Sequence, residues 1–269
     1  MPTGNKGMIN QLSKTKNVFQ IYGPDTGALM GKSIRETPKK VNTRDLYQLP
    51  IDFTRKYEYI TLAIDILFFD IISFLLIVSR DIHFYTVEKL TDRENSTIME
   101  CLKRAIFIIH MSFTFNILAD GEFCYMTGDI ISAFKCHLNC TAAGEHVPEA
   151  ERAVRVIKEL IRCIVTTWPY KKVPQVFKIS LMKFVIFWIN SIPQANSILP
   201  NVCNRAIMTG QFPDYNKHCK IGIDTYIYVH NPCNITNTMV PRTSPAIALG
   251  PISNLQGFHR FFVYNQSVK

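Results

Sequence analysis

Apolar residues crowd together between Tyr59 and Val87 and are sparser on the N-terminal side of that block. The densest part, ITLAIDILFFDIISFLLIVS at residues 60–79, is rich in Ile, Phe and Leu and is interrupted by Asp65 and Asp70. Its β-branched and aromatic content favours strands, and a tight turn at Phe69–Ile71 divides it into two. RDIHFYTVEKL continues the pattern, so three strands are predicted: Tyr59–Phe68, Ser73–Ser79 and His83–Val87. The same run has the length of a bilayer-spanning helix. Two aspartates would cost about 2.5–3.5 kcal/mol each near the bilayer centre. The hairpin is therefore the preferred reading, and no membrane partner is expected.

The period then lengthens. In ENSTIMECLKRAIFIIHM, residues 94–111, Ile98, Met99, Leu102, Ala105, Ile106 and Ile109 recur at helical spacing. Phe113–Ala119 reads as a fourth strand, Gly128–Phe134 as a short helix and His137–Thr141 as a fifth strand. Pro148 opens a long helix to about Thr167, with Val154, Ile157, Ile161, Ile164 and Val165 on its apolar face and Trp168-Pro169 ending it. Residues 174–193 read as a second, largely buried helix. Beyond Pro200, GIDTYIYVH, SPAIALGP and FHRFFVYN look like strands separated by Asn, Pro and Gly turns.

Three hairpin-linked strands followed by alternating helices and strands predict an α/β protein. Its sheet should be mixed and five-stranded with helices on both sides, and a small β-rich C-terminal module should follow. A doubly wound parallel sheet would alternate strand and helix from the start. The order suits the ribonuclease H-like plan. The expected divisions are a basic arm over 1–50, a core over 51–200 and the β module over 201–269.

Charge adds a partner class. The 269 residues carry a formal net charge of +9. Residues 1–56 hold ten Lys/Arg against four Asp/Glu, and residues 194–269 hold six against two. Basic flanks around a near-neutral centre suit a polyanion, although ordinary solvated basic arms look the same. The eight cysteines form no C-x-x-C pair, and MPTGNKGMINQLSKTKN shows no apolar signal region. The thiols are therefore read as reduced and intracellular.

The chemistry concentrates in three acids. Asp65 lies between Ile64 and Ile66 in a predicted strand, where a carboxylate is costly unless paired or metal-bound. Asp120 ends FTFNILAD and is followed by Gly121. Glu151 opens the long helix, where the dipole tolerates negative charge. Hard oxygen ligands in this arrangement suit two divalent metals in phosphodiester chemistry. The bland alternative is ordinary strand-end and first-turn acids, and Asp70, Asp81, Glu122, Asp129, Glu145 and Glu149 lie nearby as competitors. Glu151, Arg155, Lys158 and Arg162 share one helical stripe with Arg152 beside it. That stripe is either a phosphate-backbone contact or a solvated face with a Glu151–Arg155 pair.

Other motifs fall short. GPDTGALMGKS, residues 23–33, evokes a phosphate loop, but its first glycine would have to stand where Thr26 does. Cys136, His137, Cys140 and His146 lie close in sequence, yet Cys136, Leu138 and Cys140 alternate along one strand face, against a zinc knuckle.

At these residues the chain resembles the integrase region of copia-like retrotransposon polyproteins. The resembling words are GPDTGALMGK, ITLAIDILFF, IVSRDIHFYTVE, ADGEF, TGDI, GEHVPEAERAVRVIKE, FWINSIP, RAIMTGQFPDYNKHCK, PRTSPAIALGP and NLQGFHRFFVY, in that order across residues 20–264. The resemblance implies a ribonuclease H-like integrase core with Asp65, Asp120 and Glu151 as its catalytic, metal-holding triad. Glu151 is selected over Glu145 and Glu149 because it opens Glu151-Arg152-Ala153-Val154-Arg155, the family's E-R-x-x-R word. It further implies two Mg²⁺ or Mn²⁺ ions, DNA ends and target DNA as partners, and Arg152, Arg155, Lys158 and Arg162 on the DNA. A homo-oligomer and a nuclear or virus-like-particle location are expected too. The family's zinc-binding N-terminal module, reverse transcriptase and protease are missing from the sequence, so a polyprotein fragment or decayed copy is expected.

Overall fold

The structure is a computed structural model. It describes residues 26–32, 47–49, 59–110, 114–142, 145, 147–170, 172–195, 197–231, 239–252, 254 and 256–263. The N-terminal arm falls largely outside these residues. Its described part includes helix α1, Thr26–Lys32, which occupies most of the phosphate-loop candidate. Gly31 and Lys32 thus belong to a helix rather than to a glycine-rich cradle.

The central sheet is built from β1 (Tyr59–Phe69), β2 (Ile72–Ser79), β3 (Tyr85–Lys89), β4 (Thr114–Ala119) and β5 (Leu138–Cys140), in the order β3-β2-β1-β4-β5. The first three strands form an antiparallel meander, while β4 and β5 add in parallel to β1. This order and polarity, with helices on both faces, is the ribonuclease H-like plan. The expected hairpin is present, and Phe69 pairs with Ile72 across Asp70 and Ile71. Asp70 takes a left-handed φ of 52°, which a short polar side chain tolerates, and Lys178 pairs with its carboxylate. The 60–79 run is therefore a β-hairpin, and no helix among the described residues is long and apolar enough to cross a membrane.

The run is largely apolar on both faces, its two aspartates aside, because β1 and β2 are covered on both sides. Ile60, Leu62, Ile64 and Ile66 face one core with Ile98, Cys101, Leu102, Ala105 and Ile106 of helix α2 (Asn95–His110). Leu67, Phe74, Leu76 and Val78 face another, with Ala153, Ile157 and Ile161 of α4 (Pro148–Val165) and Leu181, Met182 and Val185 of α5 (Gln175–Ser191). The buried side of α4 includes Ala150 and Ala153, whereas Val154, Ile164 and Val165 are only half-buried. A 3₁₀ turn, Gly121–Met126, runs into α3, Thr127–Phe134, extending the expected short helix backwards.

Two further short helices follow, α6 (Asn204–Thr209) and α7 (Tyr215–His218). A second sheet then forms from β6 (Tyr226–His230), β7 (Thr243–Pro251) and β8 (His259–Val263), antiparallel in that order. Ile247 and Leu249 cluster with Phe177 of α5, whose ring lies 5.7 Å from that of Phe262. Gly250, at a register shift in β7, has φ +107°. A Cβ there would meet the Phe184 ring at 2.9 Å. His218, buried in α7, places its ring nitrogens 2.8 and 3.1 Å from the carbonyl oxygens of Asp214 and Asn254, tying the loop between β7 and β8 to the core.

Candidate functional site

Register brings the two aspartates together. In the parallel β1–β4 pair the last partners are Ile64 and Ala119, and one step on stand Asp65 and Asp120. Adjacent strands lie about 4.8 Å apart. Ala63 and Leu118, two residues back from each aspartate, share a cluster with Val147 and Ala150 at the start of α4. With a side-chain period of two, Asp65 and Asp120 therefore face the side of the sheet that α4 covers. Both are half-buried.

Each carboxylate has local partners. Asp65 Oδ1 accepts from the backbone N–H of Ile66 at 2.6 Å. Asp120 has an extended backbone, with φ −65° and ψ 161°, and leads into the 3₁₀ turn. The Thr141 hydroxyl stands 3.3 Å from Asp120 Oδ1. A Cβ at Gly121 would lie 3.7 Å from the Thr141 carbonyl oxygen, an ordinary contact. Packing therefore does not require a glycine at 121.

Helix α4 runs the same way as β1. Its first turn is tied to the end of β2, where Arg80 donates to Glu149 Oε1 at 2.8 Å. Ala150 packs with Ala63, and Ala153 and Ile157 join the cluster of Leu67. Glu151 thus lies on the stretch of helix that passes Asp65. Glu149, on the other hand, sits about 200° around the helix from Glu151 and is bound to the β2 side. Arg152 leans toward β3, where it opposes the upward push of burial on the Tyr85 phenol. Glu151, Arg155, Lys158 and Arg162 occupy the other flank, and all four are exposed. Among the described residues no ion pair joins Glu151 to Arg155, so the stripe is not explained by that pairing.

The donor set of Asp65 and Asp120 is carboxylate oxygen, the chemistry a hard dication requires. The third position is different. Among the described residues, no group of three or more His, Cys, Asp or Glu side chains is arranged to hold a metal ion. Glu151 lies on α4 and is not gathered in with the two aspartates. The same holds for zinc at Cys136, His137 and Cys140, of which Cys136 is buried and His137 exposed; His146 lies outside the described residues.

Some supporting contacts carry no sequence signal. Arg93 pairs with Glu122 in the turn after Asp120, and its guanidinium lies 5.6 Å from the Phe68 ring centroid. This braces that turn against the end of β1. The Thr141 hydroxyl also donates to the Glu145 carbonyl at 2.7 Å. Cys140, at the end of β5, has its thiol pushed up to about 11, chiefly by burial and further by the neighbouring Cys124 of the turn.

No family model and no curated protein matches the chain. Among solved structures it is similar to the HTLV-2 integrase catalytic core domain in complex with magnesium. The dimeric form gives 9% identity and a TM-score of 0.42 over 56% of this chain and 95% of that one. The trimeric form gives 11% and 0.42 over 55% and 95%. The BIV integrase catalytic core domain gives 9% and 0.39 over 55% and 92%.

Proposed function

We propose that the chain is the integrase core of a copia-like retrotransposon, performing 3′-end processing and strand transfer of DNA by in-line phosphoryl transfer. The observation that carries this reading is the pair Asp65 and Asp120, abreast on neighbouring parallel strands and facing the helix that bears Glu151. Asp65, Asp120 and Glu151 are its catalytic acids. When bound, two Mg²⁺ or Mn²⁺ ions supply Lewis-acid stabilisation of the attacking and leaving oxygens. The protein's own part is positional. Asp65 and Asp120 present oxygens from a rigid sheet; Arg155, Lys158 and Arg162 hold the phosphate backbone along one flank of α4, and Arg152 adds its charge from the β3 side. The partners are element-end and target DNA, handled by a homo-oligomer in the nucleus or in a virus-like particle.

The test is strand transfer with oligonucleotide ends in Mg²⁺ or Mn²⁺. The expected result is metal-dependent joining that Asp65→Asn or Asp120→Asn abolishes. Joining that survives the double substitution would overturn the proposal.

A second reading is a nucleic-acid-binding remnant without catalysis. It is favoured by Glu151 standing exposed and outside any metal-holding group of described residues. DNA binding that weakens steeply with salt, without metal-dependent cleavage, would select it.

A further inference from the structure

Two thiols meet beside the turn that follows Asp120. Cys140 ends edge strand β5, in register with Ala119 of β4. Cys124 lies in the 3₁₀ turn Gly121–Met126, which packs against β5, and the two side chains are neighbours. The turn is held from three directions. Phe123 and Met126 anchor it in the core, the Thr127 hydroxyl donates to the Cys124 carbonyl at 2.7 Å, and Arg93 pairs with Glu122. Cys124 is exposed and Cys140 half-buried. An oxidant in solution therefore meets Cys124 first, with Cys140 behind it as the second thiol. An accessible cysteine backed by a resolving cysteine is the arrangement that thiol–disulfide exchange requires.

We infer that Cys124 and Cys140 form a reversible dithiol–disulfide site for low-molecular-weight disulfides of the oxidised-glutathione class, and that its closed form ties the turn after Asp120 to the edge of the central sheet. The exchange runs in two steps. The Cys124 thiol gives up its proton to solvent and its sulfur bonds to one sulfur of glutathione disulfide, whose S–S bond breaks and releases one glutathione thiolate. The Cys140 thiol then loses its proton, its sulfur bonds to Cys124 Sγ, and the second glutathione leaves with the electron pair of the mixed disulfide. The two cysteines lose two electrons and two protons, and glutathione disulfide gains them as two thiols. The cross-link closes a loop of about fifteen residues that contains helix α3. Neither step needs a metal ion or DNA, so the site stands apart from the proposed integrase chemistry.

The experiment treats the reduced full chain with oxidised glutathione, at a concentration that modifies the exposed Cys163 of α4, and maps the cysteines by peptide mass after alkylation. In wild type Cys124 and Cys140 should disappear together as free thiols and return as one cross-linked peptide pair free of glutathione, while Cys163 keeps its glutathione. Cys140→Ser should hold glutathione on Cys124, and Cys124→Ser should leave Cys140 a free thiol. Oxidised wild type should melt about 5 °C above the reduced protein, a shift that dithiothreitol reverses and both variants lack. Glutathione retained on wild-type Cys124, free thiols at both positions while Cys163 is modified, or a cross-link without a rise in melting temperature overturns the proposal. The wild-type map and melting curve decide the matter even where a variant folds poorly.

Discussion

Asn190 shows what a single buried polar side chain contributes to this fold. Its amide nitrogen donates to the Tyr85 carbonyl at 2.7 Å, and its amide oxygen accepts the Tyr85 N–H at 2.9 Å. A side chain on α5 thus satisfies the backbone at the start of edge strand β3. Asn190→Leu keeps similar bulk but strands both groups, and should cost about 2–5 kcal/mol, read as a lower urea midpoint. Cys140 gives a pH signature. Its thiol is pushed from 9.0 up to about 11 by burial and by the Cys124 sulfur. The fold favours the neutral thiol, so this contribution is complete below pH 9.0 and is lost as pH rises toward about 11. The stability difference between wild type and Cys140→Ala should shrink over that window in urea titrations at successive pH values. Asp65 was legible in the sequence because a charge inside an apolar strand demands a reason. Thr141 was not, because a threonine at a strand end is unremarkable until its neighbours in space are known.

Among the elements, the β1–β2 hairpin was readable because Asp70 and Ile71 interrupt two strongly β-prone runs. The buried side of α4 was read less well. Ala150 and Ala153 carry little hydrophobic signal, yet their small size lets the helix start lie close against Ala63. Helices α6 and α7 were missed, being six and four residues long, too short for a 3.6-residue period to declare itself. In β7 the sequence showed a glycine but not its cause. Gly250→Ala would force an unfavourable φ and drive a methyl group into Phe184. A loss of about 2–4 kcal/mol is expected, measurable as a drop in melting temperature, with fluorescence of Trp188 beside Phe184 reporting the local change.

For the molecule as a whole, charge and topology lead to separate expectations. Replacing Arg155, Lys158 and Arg162 together by Ala should make the dependence of log K on log salt for DNA shallower by about 2.7, or about 0.9 per cation removed. Fluorescence anisotropy at several salt concentrations measures this. Loss of affinity without a change of slope would place the DNA elsewhere. Basic flanks in the sequence suit a polyanion or ordinary solvated arms alike, and which helix flank faces the aspartates emerged only from the anchoring of Glu149 to Arg80. The parallel pairing of β1 with β4 also orders events in time. The hairpin closes across two residues, whereas Ile64 meets Ala119 only after about fifty residues of chain have been drawn in. A nucleus built on the hairpin can therefore form before the two aspartates are neighbours. Changes along β1–β2, such as Leu76→Ala, should then slow refolding, while changes at β4, such as Ile117→Ala, should mainly speed unfolding. The mutual repulsion of two adjacent carboxylates would thus be met late on the folding path, when the rest of the sheet is already in place to bear it.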